Sequence, residues 1–254
     1  MRSKMTTPYK DVDKFEQDLK DFANKFRITL AAHSKRISDY FEMTCYNLII
    51  RYYEKKGFTL EVKNLQDDNF RFKCNPNGYL DNFSYFKATK RDSKGNEDTI
   101  FIFHNATVQS AYDDEVFTTP DIVVSISEIP DISTSYYLKK HKLTYISKKN
   151  LVTFCEVKHL MPFPELMLNF IGIVHELKPD CTNNRGKKNK SDHLAPSLLI
   201  SGTFGEPTRK IKKSLEKRYF VNYFDNLFDD ASVRLFFSKS KMNKIATLGK
   251  KSGP

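Results

Sequence analysis

The sequence predicts an α/β or α+β domain with a mixed central β-sheet flanked by helices. Residues 121–127 and 151–158 are β-branched and apolar on both faces, as in strands that are covered from both sides. A helix at 164–177, bounded by prolines, then precedes a further strand at 198–204. Because a strand, helix, strand succession favours a parallel pair, the sheet is expected to be mixed.

Helical periodicity dominates the first part of the chain. Apolar residues recur at three- and four-residue steps over 9–26 and over 37–56, and Gly57 is placed to cap the second helix. Strands are expected at 58–65 and 70–73. The remaining predicted elements are a hairpin at 85–104, a basic helix at 206–228 and a short strand at 233–237.

A single domain accounts for most of these elements. The sequence contains neither an internal repeat nor a long linker between them. The predicted organisation is therefore a helical extension at 1–36, one domain at 37–238 and a basic tail at 239–254.

The composition favours a globular protein with a negatively charged partner. Among its 254 residues, 42 Lys and Arg outnumber 31 Asp and Glu, and 39% are hydrophobic, which excludes disorder throughout. No apolar run approaches the roughly 18 residues that span a bilayer, and the first residues lack the apolar segment of a signal peptide. We therefore expect a cytoplasmic protein without a membrane partner. The four cysteines lie far apart, so neither a zinc site nor a disulfide framework is predicted.

Three residues at the ends of two predicted strands are the catalytic candidates. Asp121 opens the first strand, and Glu156 and Lys158 close the second. In an antiparallel pairing that places Asp121 opposite Lys158 and beside Glu156, all three side chains converge at one end of the sheet. Carboxylates are hard ligands suited to Mg²⁺, which makes water a better nucleophile towards phosphorus.

Context must select among several similar motifs. The Glu-x-Lys spacing occurs four times, beginning at Glu54, Glu61, Glu156 and Glu176. Glu61 has no Asp-led strand before it, while Glu54 and Glu176 lie near predicted helix ends, where exposed charges are ordinary.

Each candidate also has a simpler alternative. Asp121 could follow a turn-forming proline without any further role, and Asp131 is a rival with a poorer strand after it. Glu156 could be a surface residue at a strand end. Because Val152, Phe154 and Glu156 are expected to share a face, we favour a buried carboxylate that needs a partner or a metal.

The Pro120-Asp121 and Glu156-Val157-Lys158 segments resemble the PD-(D/E)xK nuclease superfamily, which has a restriction-endonuclease-like fold. The resemblance covers roughly residues 37–204. It implies that Asp121 and Glu156 bind Mg²⁺, with Mn²⁺ as a substitute, and that Lys158 positions or polarises the attacking water.

The resemblance also suggests an accessory ligand. Many members carry a further Glu on the helix before the first core strand, and Glu42 is the candidate here, the alternative being a solvated helical carboxylate. His159 could touch phosphate or face elsewhere, and Gln109 has no assignable role. The helix after Lys158 lacks a Gln-x-x-x-Tyr pair found in some exonuclease branches, which favours an endonuclease.

Basic side chains are concentrated in four runs, at 139–149, 185–190, 209–218 and 239–251, around an acidic stretch at 113–131. Such flanks suit a nuclease because cations bind backbone phosphates, although a charged run can also be a solvated face. The nucleic-acid-binding candidates are Arg185, Lys187, Lys188, Lys190, Arg209, Lys210 and Lys213.

Together these observations predict a metal-dependent nuclease, preferably a DNA endonuclease. The alternative is a catalytically inactive basic module on the same fold that binds nucleic acid or protein. The resemblance favours DNA over RNA as the substrate. A second copy of the chain, bound as a homodimer through the helix at 9–26, is a further candidate partner.

Overall fold

A computed structural model describes residues 37–73, 79–93, 95–133, 143–182 and 193–227, together with positions 17, 20, 21 and 24. Its principal helices in these ranges are α1 (Ile37–Lys55), α2 (Pro164–Leu177) and α3 (Glu206–Arg218). The strands are β1 (Thr59–Lys63), β2 (Tyr85–Arg91), β3 (Glu97–His104), β4 (Val108–Gln109), β5 (Phe117–Thr118), β6 (Ile122–Ser125), β7 (Asp131–Ile132), β8 (Thr144–Tyr145), β9 (Leu151–Lys158), β10 (Ser197–Ile200) and β11 (Asn222–Phe224).

Seven of the described strands form one mixed sheet in the order β1-β2-β3-β6-β9-β10-β11. Neighbours from β1 to β9 are antiparallel, whereas β9, β10 and β11 run parallel. The β4–β5 and β7–β8 pairs are separate two-stranded ladders. The mixed α+β class and the parallel pair that encloses α2 are therefore confirmed.

Helices cover both faces of the sheet, and each face has its own apolar cluster. The first cluster joins α1 to the sheet through Phe41, Tyr46, Ile49, Ile102 and Val124. The second joins α2 and α3 to the opposite face through Phe103, Phe154, Phe170, Leu215 and Tyr223.

One edge of the sheet collects the ends of strands that are far apart in sequence. The pairing directions bring the C-terminal ends of β3, β9 and β10 beside the N-terminal end of β6. Helix α1 leads through Gly57, with φ of 85°, into β1 at the opposite edge, so its first turns lie towards these strand ends. We call this the site edge; His104, Asp121, Lys158 and Ile200 mark it.

A β-bulge in β9 changes the face of one predicted core residue. Val124 pairs with Thr153 and Ser125 with Leu151, so Val152 is the additional residue on its strand. Val152 packs in the α1 cluster, whereas Phe154 packs in the α2 and α3 cluster. The expectation that Val152 shares a face with Phe154 was therefore wrong.

The predicted strand at 70–73 was also wrong. The segment belongs to no sheet ladder. The carbonyl of Lys73 accepts hydrogen bonds from the side chains of His104 and Asn105, at 3.0 and 2.8 Å, so no neighbouring strand is needed to satisfy it.

Two boundaries near the end of the described chain were misplaced. The predicted helix at 206–228 ends at Arg218, and Asn222–Phe224 forms β11 because its side chains are buried beside β10. The strand predicted at 198–204 ends at Ile200. The predicted strand at 233–237 lies outside the described residues.

The helix at 37–56 and the hairpin at 85–104 are confirmed. The helix predicted at 9–26 lies mostly outside the described residues; positions 17, 20, 21 and 24 are helical and exposed. Within the described residues, no helix combines the length and apolar character needed to cross a membrane.

Candidate active site

Asp121, Glu156 and Lys158 meet at the site edge. Ile122 pairs with Cys155, so Asp121, one residue earlier, lies opposite Glu156. The predicted pairing placed it opposite Lys158. The register differs from the predicted one by two residues, and a shift of two leaves every side chain on its original face. The expected convergence therefore occurs despite the different pairing.

Lys158 bridges the two carboxylates. Its Nζ donates to Asp121 Oδ2 at 3.0 Å and lies 2.8 Å from Glu156 Oε2. The backbone N–H of Val157 also donates to Asp121 Oδ2, at 2.6 Å, while the N–H of Asn105 donates to the Asp121 carbonyl at 2.8 Å. Asp121 is thus held from its side chain and from its backbone.

Burial sets the electrostatics of these groups. The Asp121 and Glu156 side chains are 13% and 9% exposed. Burial, followed by the Asp121 charge, raises the pKa of Glu156 to about 7, against the opposing effect of Lys158. Burial also raises the pKa of Asp121, although Lys158 and the Val157 N–H favour its charged form. Burial lowers the pKa of Lys158, but the two carboxylates outweigh it and raise that pKa overall.

Glu42, from the second turn of α1, lies within electrostatic range of both carboxylates. Its charge contributes to the raised pKa of Asp121 and of Glu156. Its Oε2 lies 3.5 Å from Nε2 of His104, a histidine that is almost fully buried. Glu42 is therefore partly enclosed at the site edge and differs from the fully solvated helical carboxylate of the alternative reading.

His104 and Asn105 are site-edge residues that sequence reasoning missed. Because a carbonyl can only accept, His104 Nδ1 must donate to Lys73, and this leaves Nε2 directed towards Glu42. Asn105 has a positive φ of 50°, and its N–H is the donor to the Asp121 carbonyl. The alternation of Ile100, Ile102 and His104 along β3 is a sequence signal that puts the histidine on the same face as the two isoleucines. Only the order of the strands in the sheet places it beside Glu42.

The structure does not bring the rival residues into this group. Asp131 begins β7 and pairs with Tyr145 in a separate ladder. Gln109 donates to Asp114, and His159 packs against the ring of Phe41 at 5.9 Å. The Glu61 and Lys63 pair is in contact at 2.7 Å, but its carboxylate is 58% exposed on an outer strand.

The basic candidates are described only in part. Arg209, Lys210 and Lys213 are exposed on α3, which begins just beyond β10 at the site edge, and Lys210 pairs with Glu206 at 2.9 Å. The candidates Arg185, Lys187, Lys188 and Lys190 lie outside the described residues, as do 139–142 and all of 239–251.

The donor set is suited to a divalent cation. Two carboxylates, from Asp121 and Glu156, contact one ammonium group, Glu42 lies within electrostatic range of both, and burial disfavours the negative charge of Asp121 and Glu156. Within the described ranges, no group of three or more His, Cys, Asp and Glu side chains is already arranged to share a metal ion. Lys158 Nζ contacts both carboxylates, so the ammonium stands where a cation between them would be bound.

Comparison of the chain with protein-family models, curated proteins and solved structures gives no significant match.

Proposed function

We propose that this protein is a metal-dependent nuclease that hydrolyses phosphodiester bonds, preferably as a DNA endonuclease, on a restriction-endonuclease-like fold. The observation that carries the proposal is the meeting of Asp121, Glu156 and Lys158 at one sheet edge, with contacts of 3.0 and 2.8 Å through the ammonium. Carboxylates that can hold a divalent cation, with basic side chains that can hold phosphates, are the groups that metal-assisted phosphodiester hydrolysis uses.

Asp121 and Glu156 would hold Mg²⁺ or Mn²⁺, with Glu42 as a further ligand. When bound there, the cation supplies Lewis-acid stabilisation of the phosphate and makes water more acidic. Burial strengthens this binding, because a carboxylate that has lost its hydration gains more from a bound cation than a solvated one does.

Lys158 has two roles in this proposal. Without the cation it forms ion pairs with both buried carboxylates. With substrate, its ammonium, on a side chain that is 35% exposed, would donate to a phosphate oxygen and stabilise charge that develops there. Arg209, Lys210 and Lys213 would hold the flanking phosphates.

The test is cleavage of supercoiled plasmid, linear DNA and RNA with Mg²⁺ or Mn²⁺. Glu156→Gln should abolish cleavage because it removes a ligand charge, and Lys158→Met should lower the rate by about 10²-fold or more. Glu61→Gln is the matched control, since it alters the same Glu-x-Lys spacing on an exposed strand, and it should cleave normally. Equal cleavage by Glu156→Gln and the wild type would refute the proposal.

A second candidate is an inactive module that binds nucleic acid. It is favoured by the ion pairs among Asp121, Glu156 and Lys158, because Lys158 already contacts both carboxylates without a metal. In that case no cation supports cleavage of any substrate, DNA binding persists, and Glu156→Gln leaves that binding unchanged.

A further inference from the structure

Large apolar side chains are exposed immediately beyond Lys158. Met161 and Phe163, in the connection from β9 to α2, are 67% and 45% exposed, and Leu168, in the second turn of α2, is 52% exposed. We call these three side chains the apolar patch. Exposed large apolar side chains that are close in sequence and directly follow a proposed catalytic residue are candidates for contact with another molecule.

The connection that carries the patch is braced from β10. Gly202 donates its N–H to the Leu160 carbonyl at 3.2 Å, and Ser201 donates to the Lys158 carbonyl at 3.2 Å. A Cβ on Gly202 would lie 2.5 Å from the Leu160 oxygen and 2.8 Å from Met161 Cα, so only glycine permits this approach. The β9–α2 connection, with Met161, is therefore held against the end of β10 at Gly202.

The patch follows Lys158 along the chain, and the connection that carries it is bonded to Gly202, shortly before the basic helix α3 begins. Both α2 and α3 begin at the site edge, because each follows a parallel strand that ends there. The first turns of α3 present Arg209 and Lys210 to solvent. The positive charge of these side chains is complementary to the phosphates of a nucleic acid. A strand whose phosphates follow α3 towards Glu156 would bring its bases past the patch.

We propose that the apolar patch contacts nucleobases and that the preferred substrate carries unpaired nucleotides at the cleavage point. The inference rests on the proposed nuclease function. Base faces are covered by stacking in a regular duplex, whereas unpaired bases offer them to aromatic and apolar side chains without sequence preference. The patch thereby selects single strands, gaps or flaps over intact duplex.

The test measures binding with Glu156→Gln as the parent protein, so that no strand is cut. Fluorescence anisotropy compares a labelled single strand of mixed sequence with its duplex and with a gapped duplex. The parent should bind the single strand and the gap more tightly than the duplex. Phe163→Ser and Met161→Ser should each weaken these two affinities about tenfold and leave duplex affinity unchanged. Phe163→Leu, which keeps apolar contact but not stacking, should lie between.

Val116→Ser is the matched control, because Val116 is also 45% exposed but lies outside the site edge, and it should change neither affinity. Unchanged preference in both patch variants, with binding retained, overturns the inference and leaves the nuclease proposal standing. Failure of the parent to bind any nucleic acid overturns both. Conversion of a dimer to a monomer by Phe163→Ser, without any change in substrate preference, assigns the patch to contact between two copies of the chain and also overturns the inference.

Discussion

Glu156 makes the stability of the metal-free protein depend on pH in a specific direction. Its pKa rises from the ordinary 4.5 to about 7 on folding, because burial and then Asp121 disfavour its charge. Between these values the folded chain keeps a proton that the unfolded chain has lost, so the free energy of unfolding falls as pH rises through this window. Glu156→Gln removes the penalty and should gain stability relative to the wild type as pH rises.

Thermal denaturation in a metal chelator, below and above this window, measures the difference between the two proteins. Glu61→Gln, on exposed β1, should follow the wild type at both pH values. A constant difference between Glu156→Gln and the wild type across the window would show that Glu156 ionises normally.

At the residue scale, the sequence predicted the groups whose spacing is local. Glu156 and Lys158 are two apart on one strand, so their common face follows from strand geometry alone. Asp121 required only the correct pairing of two apolar strands, and an error of two residues in register did not matter. His104 could not be placed beside Glu42, because their contact depends on α1 crossing the face of β3, which no local pattern specifies.

The conformation of the β9–α2 connection depends on Gly202, which lies against its backbone. Adding a Cβ would force the Leu160 carbonyl and the Met161 backbone to move, so Gly202→Ala should destabilise the fold by about 1–3 kcal/mol. It should also lower cleavage, since the displaced segment follows Lys158 directly. Denaturant unfolding and plasmid cleavage provide the two measurements.

Gly172→Ala is the natural comparison for that variant. Gly172 lies within α2 with nothing within 4 Å of an added Cβ, so alanine should stabilise the helix by about 0.5–1 kcal/mol. Equal effects of the two substitutions would mean that Gly202 is not a close contact.

At the element scale, the errors occurred where tertiary neighbours replaced local preference. Asn222–Phe224 continued a helical pattern, yet its complete burial beside β10 stabilises a strand. Residues 70–73 have the apolar content of a strand, but side chains from the β3 end satisfy Lys73. The helices at 37–55 and 164–177 were predictable because a capping glycine and flanking prolines mark their ends.

For the whole molecule, the net charge of +11 predicts salt-sensitive binding to nucleic acid. Arg209 and Lys213 are exposed one helical turn apart on α3. Replacing both with alanine should weaken DNA binding and reduce the magnitude of the slope of log affinity against log salt by about 2, since each phosphate contact contributes about 0.9. Anisotropy titrations over a series of salt concentrations measure the slope.

A double variant of Lys55 and Arg91 controls for the loss of charge alone. Both residues are exposed and end their elements at the sheet edge opposite the site edge. An equal reduction of the slope in both double variants would mean that charge acts over the entire surface, without a preferred face.

Because of the bulge at Val152, deleting a residue from β9 should have different effects before and after Thr153. Removing Val152 would restore a regular ladder without rotating Glu156 or Lys158, because the residues after it already pair regularly with β6. Removing one residue between Thr153 and Cys155 would instead turn both side chains to the opposite face of the sheet. The bulge therefore allows the chain before Thr153 to lose one residue while Glu156 and Lys158 keep their positions.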